Sequence, residues 1–117
     1  MEYFQKTVTD WLKTTFSQEV IDNVDERSFR FIEEAVELVQ SANMSREDVH
    51  RLVDYVYDRP AGELPQEIGG VMVSLAALCH THGRDLSTDA TTEILRCWQN
   101  VEKIRAKQAA KPKTVRG

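Results

Sequence analysis

Residues 31–40 read FIEEAVELVQ, and their period decides the fold. On a 100° wheel, Phe29, Phe31, Ile32, Ala35, Val36, Leu38, Val39 and Ala42 fall in one arc. Arg30, Glu33, Glu34, Glu37, Gln40 and Ser41 fill the opposite arc. Such a split is that of a half-buried helix with a solvated acidic side.

Working outward, Asp25 is the expected cap of this helix and Ala42 its end. Upstream, Phe4, Val8, Trp11, Leu12 and Phe16 are spaced for one face of a first helix over Tyr3–Phe16, and Ser17 opens a short helical or irregular link. Downstream, Ser45 with Asp48 resembles a capping box and starts a helix ending near Asp58. The stretch RPAGELP at 59–65 is a loop, because two prolines and a glycine interrupt any helix there. A further helix is predicted from about Pro65 to His82, closed by Gly83. Ser87, Thr88 or Asp89 caps a long last helix to about Ala109. No segment alternates like a strand. The short connections predict an all-α antiparallel bundle of about five helices in one domain, residues 1–110, followed by a disordered basic tail, residues 111–117.

The bulk numbers agree with a single globular core: 117 residues, 41% hydrophobic and 29% charged. No apolar run reaches the roughly 18–20 residues of a membrane span. The opening MEYFQKTVTDW lacks the basic start and apolar run of a signal peptide, so a cytoplasmic location is expected. Nineteen acids face nine bases up to Glu102, a balance of −10, and six bases follow with no acid. An acidic body disfavours nucleic acid as a partner and suits the gathering of cations. A nucleic-acid role rests on the basic tail alone. Cys79 and Cys97 form no CxxC pair and are expected as two buried thiols. His80 and His82 diverge on a helix and are expected at its end rather than as ligands.

Three acids carry the chemical argument. Glu34 and Glu37 stand at i and i+3, where like charges are unfavourable. A divalent cation between them reverses that sign. From Ile68 to Cys79 the sequence IGGVMVSLAALC holds no charge, which predicts a helix buried on all sides. Glu67 stands at its start, and a carboxylate entering a core must be paired, protonated or metal-bound. Gly70, Ser74 and Ala77 make a trough of small residues along the same face. The plainer reading stays open: a wet face on one helix, and on the other an acid favoured by the dipole beside small residues that permit close packing. Oxygen ligands of this kind suit Mg²⁺ or Mn²⁺ shared with substrate phosphates. Arg27 and Arg30 can bind phosphate or pair along the helix, Arg30 with Glu33 or Glu34. Trp11, Tyr55, Tyr57 and Trp98 can stack on a base or belong to a core or interface.

EEAVE at Glu33–Glu37, with 29 residues before the EIGG of Glu67–Gly70, resembles the EExxE…ExxD signature of the MazG-like all-α nucleoside triphosphate pyrophosphohydrolases. HGRDLSTDATTEILRCWQNVEKIR resembles the closing helix of that family, and the likeness spans roughly residues 25–107. The resemblance implies a helical bundle, a homodimer or dimer of dimers, and Mg²⁺-dependent (or Mn²⁺-dependent) hydrolysis of an NTP or dNTP to the monophosphate and pyrophosphate. By position it implies Glu34, Glu37 and Glu67 as metal ligands, Glu33 as the first acid of the motif, and Lys103 as a phosphate contact. The final motif aspartate is Gly70 here. Three carboxylates then suffice, or Glu63 reaches in, or hydrolysis is lost and a non-catalytic interaction module remains.

Overall fold

A computed structural model describes residues 1–111. Among them are seven helices and no strand: α1 (Glu2–Thr15), α2 (Gln18–Asp22), α3 (Val24–Ser41), α4 (Arg46–Tyr57), α5 (Leu64–Thr81), α6 (Leu86–Gln99) and α7 (Val101–Ala110). No helix among the described residues is long and apolar enough to cross a membrane. The predicted tail falls on residues 112–117, outside the described residues, except for Lys111, which closes α7.

Local chemistry sets the helix ends. Ser17, Asn23, Ser45 and Asp85 each sit in extended geometry and accept the N–H three residues on with their side chains. Each such cap contributes about 1 kcal/mol. The predicted Ser45 cap is therefore found, whereas Asp25 lies inside α3 and Ser87, Thr88 and Asp89 lie inside α6. In both corrected cases a more upstream side chain, Asn23 or Asp85, already satisfies the orphan donor. Gly83 follows α5 at φ +65°, the left-handed position that ends a helix at small cost for glycine. The single long last helix is instead two. Asn100 donates its side-chain amide to the Arg96 carbonyl at 2.8 Å and leaves helical geometry, at φ −127° and ψ 33°. A side chain competing for the backbone in this way interrupts the ladder.

That break turns α7 back toward α1, and the firmest packing lies where α1 meets α6 and α7. Ile94 and Thr15 are the two buried residues among those described, 7% and 3% exposed. The Trp11 indole donates to the Cys97 carbonyl at 3.2 Å and meets Phe16 edge to face. Arg105 donates to the Thr14 and Thr15 carbonyls at 2.6 and 2.7 Å, covering the C-terminal end of α1. Arg27 lies over the Phe16 ring, its guanidinium carbon 5.6 Å from the centroid. Cys79 and Cys97 are free thiols, half-buried rather than buried. His80 stands in the last turn of α5 and His82 at its C-cap, as predicted.

The expectation that α5 is enclosed fails within one chain. No residue of α5 is fully buried, and Ile68 and Val73 are 58% and 71% exposed. The apolar arc of α3 is likewise incomplete: Phe31, Ile32, Val36 and Leu38 are exposed, while the charged Glu26, Arg30 and Glu33 are half-buried beneath α7. Apolar helix faces favour cover, and the described residues leave these faces exposed.

Candidate functional site

The acids of α3 divide into two sets. Glu33 accepts from Arg30 at 3.0 Å and from Lys111 at 2.7 Å. Glu26 accepts from Arg30 at 2.9 Å and also from Gln108. The Lys111 bond lowers the Glu33 pKa, with Arg30 adding to it against desolvation. Burial works against the Glu26 charge, but Arg30 and Gln108 outweigh it and lower its pKa as well. Arg30 loses some hydration here, yet its two carboxylate partners raise its pKa. Arg30 thus pairs along its own helix, the plainer of its two predicted roles, and Glu33 is engaged by two cations.

Glu34 and Glu37 form the other set. Both are exposed, one turn apart, and neither has a hydrogen bond or ion pair among the described residues. The charge of Glu34 reaches α6. There Arg96 grips Glu93 through two bonds of 2.9 and 2.6 Å, which raises the Arg96 pKa, and Glu34 adds a smaller pull. Burial pushes the Cys97 thiol up, helped by Glu93 and more weakly by Glu34. The Glu93–Arg96 pair is readable as an i, i+3 contact on one helix. Its approach to Glu34 is tertiary and left no mark in the sequence.

Glu67 occupies the first turn of α5, exposed. Its carboxylate folds back over the chain entering the helix, with Oε1 2.9 Å from where a Cβ on Gly62 would stand. Glu63 is the N-cap of α5 but makes no side-chain cap bond. Among the described residues, no atom of another part of the chain lies within 4 Å of where a side chain would begin at Gly69 or Gly70. Lys103 is exposed on α7 and has no ion pair among the described residues. Helices α3 and α5 are not among the firmly packed helix pairs. Among the described residues no three His, Cys, Asp or Glu side chains stand together closely enough to hold a metal ion. Within one chain, Glu34 and Glu37 are neighbours and Glu67 does not join them.

Of the candidate base-stacking aromatics, Trp11 is committed to the α1–α6 contact. Tyr55 carries the Arg59 guanidinium 4.1 Å from its ring centroid, and Tyr57 is exposed at the end of α4. An open hollow of about 630 Å³ lies between α2, the start of α3 and Tyr57, and it includes none of Glu34, Glu37 and Glu67. No family of known proteins, no curated protein and no solved structure matches the chain.

Proposed function

We propose that the chain is a Mg²⁺-dependent nucleotide pyrophosphohydrolase of MazG-like type, acting as a homo-oligomer on (d)NTPs. The observation that carries this reading is the pair Glu34 and Glu37: two exposed carboxylates on adjacent turns with no ion pair among the described residues, on a helix where Glu26 and Glu33 are each paired with Arg30. The donor set fits a hard cation that takes one or two carboxylates and completes its shell with water and phosphate oxygens. When bound, Mg²⁺ supplies charge neutralisation of the triphosphate and polarisation of phosphorus. Glu34 and Glu37 would hold the cation, and the cation in turn would hold the substrate phosphates, which the bare carboxylates repel. In the overall reaction, a water oxygen bonds to the α-phosphorus and releases a proton to solvent, the bond from that phosphorus to the bridging oxygen breaks with its electron pair going to that oxygen, and pyrophosphate leaves. Glu67 completes the set only by closure of α5 on α3 or from a second copy. Lys103, with no ion pair among the described residues, meets a phosphate, while Glu26 and Glu33 tie α3 to Gln108 and Lys111 at the end of α7.

One observation favours a second reading, a non-catalytic interaction module. Gly70 stands at the place of the motif aspartate, and the space in front of it is open. Pyrophosphate release from the common NTPs and dNTPs with Mg²⁺ separates the two. Release by the wild type that disappears in Glu37→Gln supports the enzyme. Turnover unchanged in both Glu34→Gln and Glu37→Gln removes these residues from the chemistry. The absence of turnover, together with the absence of Mg²⁺ binding by titration calorimetry, leaves the module.

A further inference from the structure

We infer that the end of α7 is an autoinhibitory strap: the Lys111 ammonium sits on Glu33 as an internal cation and holds divalent cations off Glu34 and Glu37. The inference rests on the cation reading of those two acids and not on hydrolysis. Glu33 and Glu37 share one stripe of α3 at i and i+4, with Glu34 beside them. Lys111 Nζ donates to Oε1 of Glu33 at 2.7 Å, and Arg30 donates to the same oxygen at 3.0 Å. The Lys111 side chain is 20% exposed, against 74% for Lys6 in its surface pair on α1. Lys111 is thus seated on the acid rather than trailing in water. Two positive charges on Glu33 lie one turn from Glu34 and Glu37, and each repels a doubly charged ion twice as strongly as a singly charged one.

The two cations differ in how they are held. Arg30 belongs to α3 and stays beside Glu33 whatever α7 does. Lys111 comes on a separate element that begins at the break at Asn100, has no buried residue and is not firmly packed on α3. Arg105 fastens the middle of α7 to the Thr14 and Thr15 carbonyls of α1. Beyond Arg105, the side chains that bond to α3 are Gln108, on Glu26, and Lys111, on Glu33. That grip is polar and charged, so a competing cation loosens it where an apolar seam would not yield. Docking of Lys111 and binding of Mg²⁺ oppose each other, and by linkage each weakens the other by the same factor.

Mg²⁺ titration calorimetry of the full chain at low ionic strength tests this in wild type, Lys111→Met and Lys111→Arg. Lys6→Met is the control: it makes the same change in net charge on α1, where Lys6 pairs with Asp10. Lys111→Met is expected to bind Mg²⁺ about fivefold or more tightly than the wild type, the effect of one charge about 8 Å from a divalent ion in a watery medium. Lys111→Arg returns toward the wild type, and Lys6→Met stays within about twofold of it. Hydrogen exchange reads the strap itself: Mg²⁺ speeds exchange at the amides of residues 108–111 in the wild type, and Glu33→Gln does so without Mg²⁺. Should a variant fail to fold, exchange on the wild type still decides. Equal affinities in wild type and Lys111→Met overturn the inference and leave the cation site standing. So does an equal gain in Lys6→Met, or exchange at 108–111 unmoved by saturating Mg²⁺. Failure of every protein to bind Mg²⁺ removes the strap and the cation reading together. Tighter binding in Lys111→Met without release of pyrophosphate keeps the strap and removes only the hydrolase.

Discussion

Glu37→Gln distinguishes a cation trap from a wet helix face by the sign of its effect on stability. Glutamate and glutamine have nearly equal helix propensity, so the substitution removes a charge and little else. Glu37 is the cleaner target of the two free acids, because Glu34 already feels Arg96 on α6. Without divalent cation, a like-charged pair on adjacent turns costs about 0.2–0.5 kcal/mol. The variant is therefore expected to be more stable than the wild type by that amount, a rise in midpoint of about 1–3 °C. With Mg²⁺ at a hundred times its dissociation constant, the wild type gains about 2.7 kcal/mol from a site the variant lacks or has weakened. The order of the two proteins then inverts. Calorimetric unfolding at fixed protein concentration and low ionic strength, in EDTA and in Mg²⁺, reads both signs, since salt screens an exposed pair. A variant more stable under both conditions, or a wild-type midpoint unmoved by Mg²⁺, makes the α3 acids a solvated face and nothing more.

Other perturbations test the architecture that holds these acids. Thr15 is buried and its Oγ1 has no partner among the described residues, so Thr15→Val is expected to stabilise by about 1 kcal/mol in denaturant unfolding; a loss of similar size places an unrecognised acceptor there. Arg105→Met removes two donors from the carbonyls ending α1 and is expected to cost about 1.5–3 kcal/mol, with a negligible change showing that α7 is not anchored through this residue. Glu33 has its pKa lowered first by Lys111 and then by Arg30. Its stabilising contribution is thus full above the ordinary glutamate value near pH 4.3 and fades as pH falls through the lower folded value. Lys111→Met should flatten stability between about pH 5 and 3 relative to the wild type, and parallel acid limbs in the two proteins contradict the contact.

How much was legible follows from the range of each interaction. Ser45, Gly83 and the proline-containing loop act on their own neighbours, so their places in the sequence are their places in the fold. Asn23 and Asp85 act equally locally. They were missed because Asp25 and Ser87–Asp89 offer the same chemistry a few residues nearer the apolar period. The break at Asn100 depends on one amide choosing the Arg96 carbonyl, which no periodicity reveals. The fate of the acids was less accessible still. Glu33 and Glu34 are adjacent and similar in sequence, yet α7 brings Lys111 to one while α6 brings Arg96 within reach of the other. The uncharged run at 68–79 predicts a helix buried on all sides, yet Ile68 and Val73 stand exposed, because an apolar period states a preference for cover without naming any surface that provides it.

That demand for cover links association to cation binding. Val36 and Leu38 flank Glu37, and Ile68 follows Glu67; all three apolar residues are exposed in the single chain. Covering them with a second copy draws both acids toward an interface rim, where a carboxylate loses water and resists burial unless a positive charge compensates. Repulsion among the acids then opposes dimerisation without a cation and favours it with one. By linkage, the factor by which Mg²⁺ tightens the dimer equals the factor by which dimerisation tightens Mg²⁺. The dissociation constant of the dimer should therefore fall on adding Mg²⁺, by about fivefold or more if the coupling has the usual size of 1–3 kcal/mol. Glu37→Gln should abolish that dependence while strengthening the metal-free dimer. Dilution light scattering in EDTA and in Mg²⁺ measures both. A wild-type constant unchanged by Mg²⁺ separates the two processes and leaves the acids outside any interface that α5 forms.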